Sequence, residues 1–249
     1  MYNAIVFQPL YNGLVGIMDL FPWADLGIAV ILFTVIIRLI LFPLSKSSLL
    51  TQVRMKEVEP EVNKIKAQYA TDKQAQAQKT MELYKSKGIH PFSGIVLLFI
   101  QLPILLALIS VFYKITPSID PTLLYSFIHL PIEKATLLGL SLSGKSIILS
   151  LLTAASQFLQ LNYSLAARQQ RKINASQPQQ TGKADFSSQM ANSMTTQMKY
   201  ILPLLAFVST YWIIPAKFPQ AASIIAIYWS VSALFTLGQE LYIRKRHLK

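Results

Sequence analysis

The chain of 249 residues contains no cysteine, which excludes disulfides, thiolate catalysis and cysteine-ligated metal sites. Histidine is scarce too: His90, His129 and His247 lie far apart without the spacing of metal ligands, so we expect no metal site. The apolar segments contain no pair of carboxylates, no Ser–His–Asp arrangement, no HExxH motif and no glycine-rich phosphate loop. The sequence therefore predicts neither an enzyme nor a cofactor-binding protein.

Charged residues are also few, at 14% of the chain, whereas roughly one quarter is typical of soluble domains. Hydrophobic residues make up 53%, and they cluster in runs that approach the ~20 residues needed to cross a bilayer core. Residues 1–24 contain no Lys or Arg, so we expect neither a secretory signal peptide nor an Arg-rich transit peptide. These features predict an all-α, multi-pass protein of the bacterial plasma (inner) membrane.

Helical periodicity, polarity and proline positions predict five transmembrane helices with their connections. Residues 1–24 are predicted to form an amphipathic helix in the extracytoplasmic membrane interface. Residues 44–90 are predicted to form a cytoplasmic helical hairpin, interrupted at Pro60, whose second helix covers 73–87. The other segments are a first span at 25–43, a second at 91–113, an extracytoplasmic connection at 114–145, a third span at 146–165, a cytoplasmic loop at 166–199 with a flexible centre at 177–183, a fourth span at 200–214, a fifth at 221–242 and a basic tail at 243–249.

The basic residues are distributed unequally among these segments. The hairpin, the 166–199 loop and the tail contain 18 of the 23 Lys and Arg residues, and the opposite connections contain four. An excess of basic residues is typical of cytoplasmic segments. We therefore expect the N-terminus outside and the C-terminus in the cytoplasm. That arrangement requires an odd number of spans, in agreement with five.

The remaining basic residue, Arg38, lies inside the first span, five residues before Pro43. Helical side chains lean toward the helix N-terminus, so this guanidinium would point toward the bilayer centre. An isolated arginine there costs about 2.5–3.5 kcal/mol or more. Residues 26–42 and spans two to four contain no Asp or Glu, and the nearest candidate counter-ion is Glu240 in the fifth span. Arg38 is therefore either an anchor that snorkels to the cytoplasmic surface or a cation in a hydrated cavity.

Polar residues follow single faces of several predicted spans. Thr34 shares a face with Arg38, and the six polar residues of the third span fall within about 80° by the 3.6-residue helical period. Such residues could line a hydrophilic groove or form hydrogen bonds between helices. The candidate groove residues are Arg38, Thr34, Gln101, Gln157, Trp229 and Ser232.

Five stretches of the chain form a distinctive series: 25–43 with Arg38, 52–84 with Glu59-Pro60-Glu61, Gly88-Ile-His-Pro91 followed by Gln101-Leu-Pro103, 151–160, and 197–203 continuing to Phe218-Pro219 and Tyr228-Trp229. In their order and spacing, these stretches resemble the YidC family of membrane protein insertases. The resemblance covers about 2–245 and is to the short form of the family, which lacks a large extracytoplasmic domain. The chain departs from the family pattern at 93–96 and at 220–221, which concerns local helix packing.

The resemblance implies an insertase and chaperone that receives nascent hydrophobic segments in a hydrophilic intramembrane groove and releases them into lipid without nucleotide hydrolysis. It implies nascent membrane proteins, the ribosome and membrane lipids as partners, with the Sec translocon as a further candidate and no small-molecule substrate. Two other functions are compatible with the residues. A small anion transporter or channel subunit would use Arg38 to bind solute, although the broken helices or inverted repeats typical of transporters are not found in the sequence. A membrane assembly scaffold would need no hydrated groove.

Overall fold

The computed structural model describes residues 3–115, 118–131, 135–174 and 186–247, and their side chains except those at 93–98, 165–174, 186–196 and 247. The flexible centre predicted at 177–183 and the last two residues of the predicted tail lie outside the described residues. All further statements concern the described part of the chain.

The regular secondary structure of the described residues is helical apart from one short β-hairpin, which confirms the predicted all-α class. A π-helical turn, Asn3–Phe7, leads into the first helix. The elements are α1 Gln8–Leu20, α2 Leu26–Ile40, α3 Phe42–Glu57, α4 Glu59–Gln68, α5 Lys73–Ser86, α6 Ser93–Ile115, β1 Thr136–Leu137, β2 Leu140–Ser141, α7 Ile147–Asn174, α8 Phe186–Val208, α9 Ile214–Lys217 and α10 Ala222–His247.

Among the described residues, two helical stretches are long and apolar enough to cross a membrane. They are Gln197–Lys217, with a mean hydropathy of 1.3, and Pro219–Arg246, with a mean hydropathy of 1.6. A third is present if α2 and α3, which meet at a 60° bend, together form one span. Pro43 explains a break there, because proline lacks an amide donor and clashes with the preceding turn. The structure is thus that of a helical membrane protein.

The chain divides into two compact units. Met1–Arg38 with Leu106–Lys249 form the bundle unit, and Leu39–Leu105 form the hairpin unit. In the bundle unit, α7 packs along both α8 and α10. At the beginning of α10, Ala222 to Tyr228 are all buried, and apart from Ser223 and the phenol of Tyr228 these side chains are apolar. A helix that is hydrophobic all round lies at the centre of its fold, so this part of α10 forms the core of the bundle unit.

Asp25 fixes the β-hairpin to the start of α2. Its carboxylate accepts hydrogen bonds from the amide of Ile28 at 3.0 Å, from the amide of Leu138 at 2.7 Å and from the hydroxyl of Thr136 at 3.2 Å. The hairpin approaches α2 so closely that a Cβ atom on Gly27 would lie 2.5 Å from the Cβ of Leu137. The absence of a side chain at residue 27 is therefore required for this contact.

The polar side chains of α1 bind the segment that precedes the β-hairpin. The Asn12 amide donates to the Leu123 carbonyl at 2.9 Å, and its oxygen accepts from the Tyr125 amide at 2.7 Å. The Tyr11 hydroxyl accepts from the Asp120 amide at 2.8 Å. One face of α1 is buried in the bundle unit, including Leu14. The location of α1 in a membrane interface stays a prediction.

The hairpin unit has a small apolar core. Val58, Val62 and Ile89 are buried together, and partly buried side chains from α3 and α5 pack around them. The second helix predicted at 73–87 is observed as α5, Lys73–Ser86, which Asp72 caps by accepting from two backbone amides. The predicted interruption at Pro60 separates α3 from α4. No residue of α5 is fully buried, so this unit has little apolar packing.

Candidate functional site

Arg38 lies in the last turns of α2, where the rest of the helix is strongly apolar, and its side chain is half-buried. Tyr228 of α10 lies within electrostatic range of its guanidinium. No carboxylate forms a salt bridge with Arg38 among the side chains that the structure describes. The positive charge therefore lies within electrostatic range of the Tyr228 phenol and has no described counter-ion.

Glu240, the nearest candidate counter-ion in the sequence, is engaged elsewhere. Its carboxylate pairs with Arg244, whose Nε donates to Oε1 at 3.0 Å, and the Glu240 side chain is buried. The two residues are four apart on α10, a spacing at which opposite charges meet on one helix face. That spacing was the sequence signal that Glu240 already has a partner.

Thr34 lies one turn before Arg38 and is buried, with 1% of its surface exposed. Its hydroxyl donates to the carbonyl of Val30 at 2.6 Å. This hydrogen bond within the helix satisfies the donor in an apolar environment. The Thr34 hydroxyl can therefore only accept further hydrogen bonds, through its oxygen lone pairs.

The polar stripe predicted on the third span divides into two parts. The Thr153 hydroxyl of α7 lies 2.9 Å from the carbonyl oxygen of Ala226 and 3.0 Å from the hydroxyl of Ser230, both on α10. This part of the stripe forms hydrogen bonds between helices, which was the alternative to a groove. Gln157, one turn further along α7, is half-buried, so part of this residue remains exposed.

Ser232 on α10 is the least satisfied of the predicted groove residues. Its side chain is 5% exposed, and its hydroxyl forms no hydrogen bond with any described atom. A buried hydroxyl without a partner costs about 1–3 kcal/mol. Because Tyr228 and Ser232 are four residues apart, they share one face of α10. Trp229, between them in sequence, is half-buried.

Tyr228 was not among the residues predicted for the groove, although it stands beside Trp229 in the sequence. Its i, i+4 relation to Ser232 was the signal that could have found it. Gln101 belongs to the hairpin unit and is half-buried on α6. Its position beside the other five candidate residues stays a prediction.

Within the described residues, no group of three or more His, Cys, Asp or Glu side chains could bind a metal ion. The bundle unit places the Tyr228 phenol within electrostatic range of the Arg38 cation, and the unsatisfied hydroxyl of Ser232 lies one turn after Tyr228 on α10. Such a site can attract an anionic group and form hydrogen bonds with it, but it contains no arrangement that activates a nucleophile.

A family model described as the 60Kd inner membrane protein matches residues 18–249, which is most of the chain. The chain belongs to the YidC family of membrane protein insertases. Curated relatives named membrane protein insertase YidC include those of Clostridium tetani, 30% identical over 92% of this chain and 86% of the relative, and Fusobacterium nucleatum, 29% identical over 89% of this chain and 87% of the relative. The predicted family is thereby confirmed.

The length of the relatives differs. A YidC relative from Hahella chejuensis is 27% identical over 97% of this chain, but this chain spans only 35% of that longer protein. The YidC relatives are bacterial, and two described helical stretches are long and apolar enough to cross a membrane, so this family member is a bacterial membrane protein.

Proposed function

We propose that this YidC family member is a membrane protein insertase, which receives nascent hydrophobic segments in a hydrophilic intramembrane groove and releases them into the bilayer. The groove residues are Arg38, Thr34, Gln101, Gln157, Trp229 and Ser232, to which Tyr228 is added. The observation that carries the proposal is the half-buried guanidinium of Arg38, which has no carboxylate partner among the described side chains.

The first step is attraction of the short hydrophilic tail of a substrate. A charge pair at contact is several times stronger at the reduced dielectric of a partly buried site than in bulk water. Arg38 therefore draws acidic tail residues into the groove, and the hydroxyl of Ser232 supplies a hydrogen-bond partner that the fold leaves unused. Because Arg38 is only half-buried, hydration weakens the pair enough for release.

The second step is transfer of the apolar segment into lipid along α7 and α10. Burial of apolar surface contributes about 25 cal/mol per Å². A membrane potential contributes about 2.3 kcal/mol per charge per 100 mV, and a negative interior favours outward movement of an acidic tail. These two sources supply the driving force, so the proposed mechanism hydrolyses no nucleotide.

The proposed topology has five spans, with the N-terminus outside and the C-terminus in the cytoplasm. The charge distribution supports it, since 18 of the 23 basic residues fall in the segments assigned to the cytoplasm. Because the chain contains no cysteine, single cysteines can be introduced one at a time. Impermeant thiol reagents should label Ser126→Cys from outside and Ser86→Cys from inside. Labelling of both from one side would contradict the five-span arrangement.

The proposed partners are nascent membrane proteins, ribosomes, membrane lipids and the Sec translocon. Reconstitution of the purified protein alone in liposomes tests the function directly. We expect a small single-span protein to become protected from added protease in these vesicles and not in protein-free vesicles. Binding without protection would instead indicate an assembly scaffold, and uptake of small anions would indicate a transporter.

A further inference from the structure

The hairpin unit contains a cavity of about 290 Å³ that the insertase function does not use. One wall is α3, on which Pro43, Ser47, Leu50 and Arg54 fall within an arc of about 60° by the 3.6-residue helical period. The opposite wall is the turn that follows α5, from Gly88, whose φ of +63° ends the helix, to His90. The cavity therefore joins two segments that are more than thirty residues apart in the chain.

The lining of this cavity is positive. Lys46 and Arg54 both contribute to it, and the hydroxyls of Ser47 and Thr51 lie on the same wall. No carboxylate belongs to the lining, and neither cation forms a salt bridge among the described side chains. Two unpaired cations with neighbouring hydroxyls are the donors that bind phosphate oxygens, and the arginine fork fits them in a bidentate manner.

Both chain segments that form the cavity run into exposed apolar residues. Leu39 and Ile40, just before α3, are 57% and 70% exposed, and Phe92, two residues after His90, is 59% exposed. In a membrane protein, large exposed apolar side chains of this kind contact lipid. Exposed apolar residues therefore flank both chain segments that form the cavity, as expected of a site at the depth of lipid headgroups.

We propose that this cavity binds the phosphate of an anionic phospholipid headgroup, with Lys46 and Arg54 as its cationic donors. Leu50 and Pro43 then contact the glycerol and the first methylenes of the acyl chains. The volume is near the lower limit of about 300 Å³ for small-molecule pockets, which fits one headgroup. A nucleic-acid strand presents a row of phosphates, whereas this cavity offers a single concave position that is lined in part by the apolar residues Pro43 and Leu50. Lipid bound here anchors the base of the hairpin unit to the membrane surface.

The test uses Ser47→Cys, the only thiol in the full-length chain, placed inside the cavity. The protein is reconstituted in vesicles of phosphatidylcholine alone or of phosphatidylcholine with phosphatidylglycerol, and the rate of alkylation by an uncharged maleimide is measured. Each basic residue near an anionic surface strengthens attraction by about fivefold. We expect phosphatidylglycerol to slow alkylation by roughly fivefold or more, and Lys46→Gln with Arg54→Gln to abolish the difference.

Two comparison variants separate the cavity from general surface charge and from misfolding. Lys64→Gln with Lys66→Gln removes two exposed cations of α4 that lie outside the cavity, and should protect the thiol as the parent does. Lys46→Arg with Arg54→Lys keeps both charges and should also retain protection. The proposal is overturned if the Lys46→Gln/Arg54→Gln and Lys64→Gln/Lys66→Gln variants lose protection of the thiol equally. It is also overturned if phosphatidylglycerol does not protect the thiol in the parent. Protection by inorganic phosphate alone, or by an RNA oligonucleotide in phosphatidylcholine vesicles, overturns it as well.

Discussion

Arg38 carries a positive charge into an apolar helix, and its neighbours determine whether that charge can act on a substrate. Glu240, which could have neutralised it, is paired with Arg244. Thr34, one turn away, donates its hydroxyl to its own helix. The Tyr228 phenol lies within electrostatic range of the guanidinium and no described carboxylate pairs with it, so the charge is available to an incoming acidic group.

Replacement of Arg38 should therefore affect substrates according to the charge of their tails. Arg38→Ala should abolish insertion of substrates with two tail carboxylates, reduce it with one and leave it largely unchanged with none, because the last are inserted by burial in lipid. Arg38→Lys should retain part of the activity, since it keeps the charge and loses the planar fork. The measurement is protease protection of three matched substrates in vesicles with equal amounts of each variant.

Arg246→Ala serves as the control for this series, because it removes the same charge from an exposed position of the tail. The Arg246→Ala variant should insert each of the three substrates as well as the unmodified protein does. If Arg38→Ala also inserted all three as well as the unmodified protein, Arg38 would be a snorkelling anchor and the groove would lose its main support.

Thr153 and Ser232 are both buried hydroxyl residues, yet the structure predicts opposite effects on stability. Thr153→Val removes the hydrogen bonds between α7 and α10 and should lower the free energy of unfolding by roughly 0.6–1.7 kcal/mol. Ser232→Ala removes a hydroxyl without a described partner and should leave stability unchanged or slightly raised. Denaturant unfolding in mild detergent compares the two. A larger loss for Ser232→Ala than for Thr153→Val is incompatible with the hydrogen bonds described.

At the scale of elements, the contact between α2 and the β-hairpin depends on Gly27. Gly27→Ala places a methyl group 3.0 Å from the backbone of Leu137 and should destabilise the fold by about 1–3 kcal/mol, the usual range for overpacking. Gly238 on α10 has nothing within 4 Å of an added Cβ, so Gly238→Ala should stabilise by up to about 1 kcal/mol. Thermal unfolding of the two variants distinguishes these effects. Similar shifts in both would show that the hairpin does not pack on α2 as described.

The hairpin unit should open more readily than the bundle helices, because it buries only a small apolar cluster. Amide hydrogen exchange at 58–81 should be faster than in α7 and α10. Val62→Ala removes about two buried methylene equivalents, roughly 1.5 kcal/mol, and should speed exchange in α4 and α5 by about tenfold. Exchange in α10 should not change. Protection at 58–81 equal to that of α10 would contradict this expectation.

At the scale of the whole molecule, the proposed cytoplasmic side carries 18 basic residues, which suits ribosomal RNA as well as anionic lipid. Binding to ribosomes should weaken by at least about tenfold between 50 and 200 mM salt, because contacts with phosphates release counterions. Lys64→Gln with Lys66→Gln should reduce that salt dependence. Sedimentation of ribosomes with detergent-solubilised protein provides the measurement, and affinity independent of salt would exclude an electrostatic contact.

Several elements follow from local sequence. The boundaries of α5 and the break at Pro60 agree with prediction, since capping residues and proline act within a few positions. The groove was less predictable. The polar residues of the third span share one helix face in the sequence, yet Thr153 forms hydrogen bonds with α10. Only the packing of the helices shows which of these polar residues remain partly exposed.

The amino-acid sequence by itself determined the membrane class, the helical architecture, the asymmetry of basic charge and the presence of a lone arginine in an apolar span. Hydropathy, periodicity and charge are properties of neighbouring residues, so they need no knowledge of contacts. Tertiary structure alone decided that Tyr228 lies within electrostatic range of Arg38, that Asp25 binds Thr136 and Leu138 and that α3 meets the turn at 88–90 around a cavity. The members of each pair are separated by tens to hundreds of residues. The sequence contains many other residues that could form chemically equivalent contacts. Only the packing of the helices selects among them.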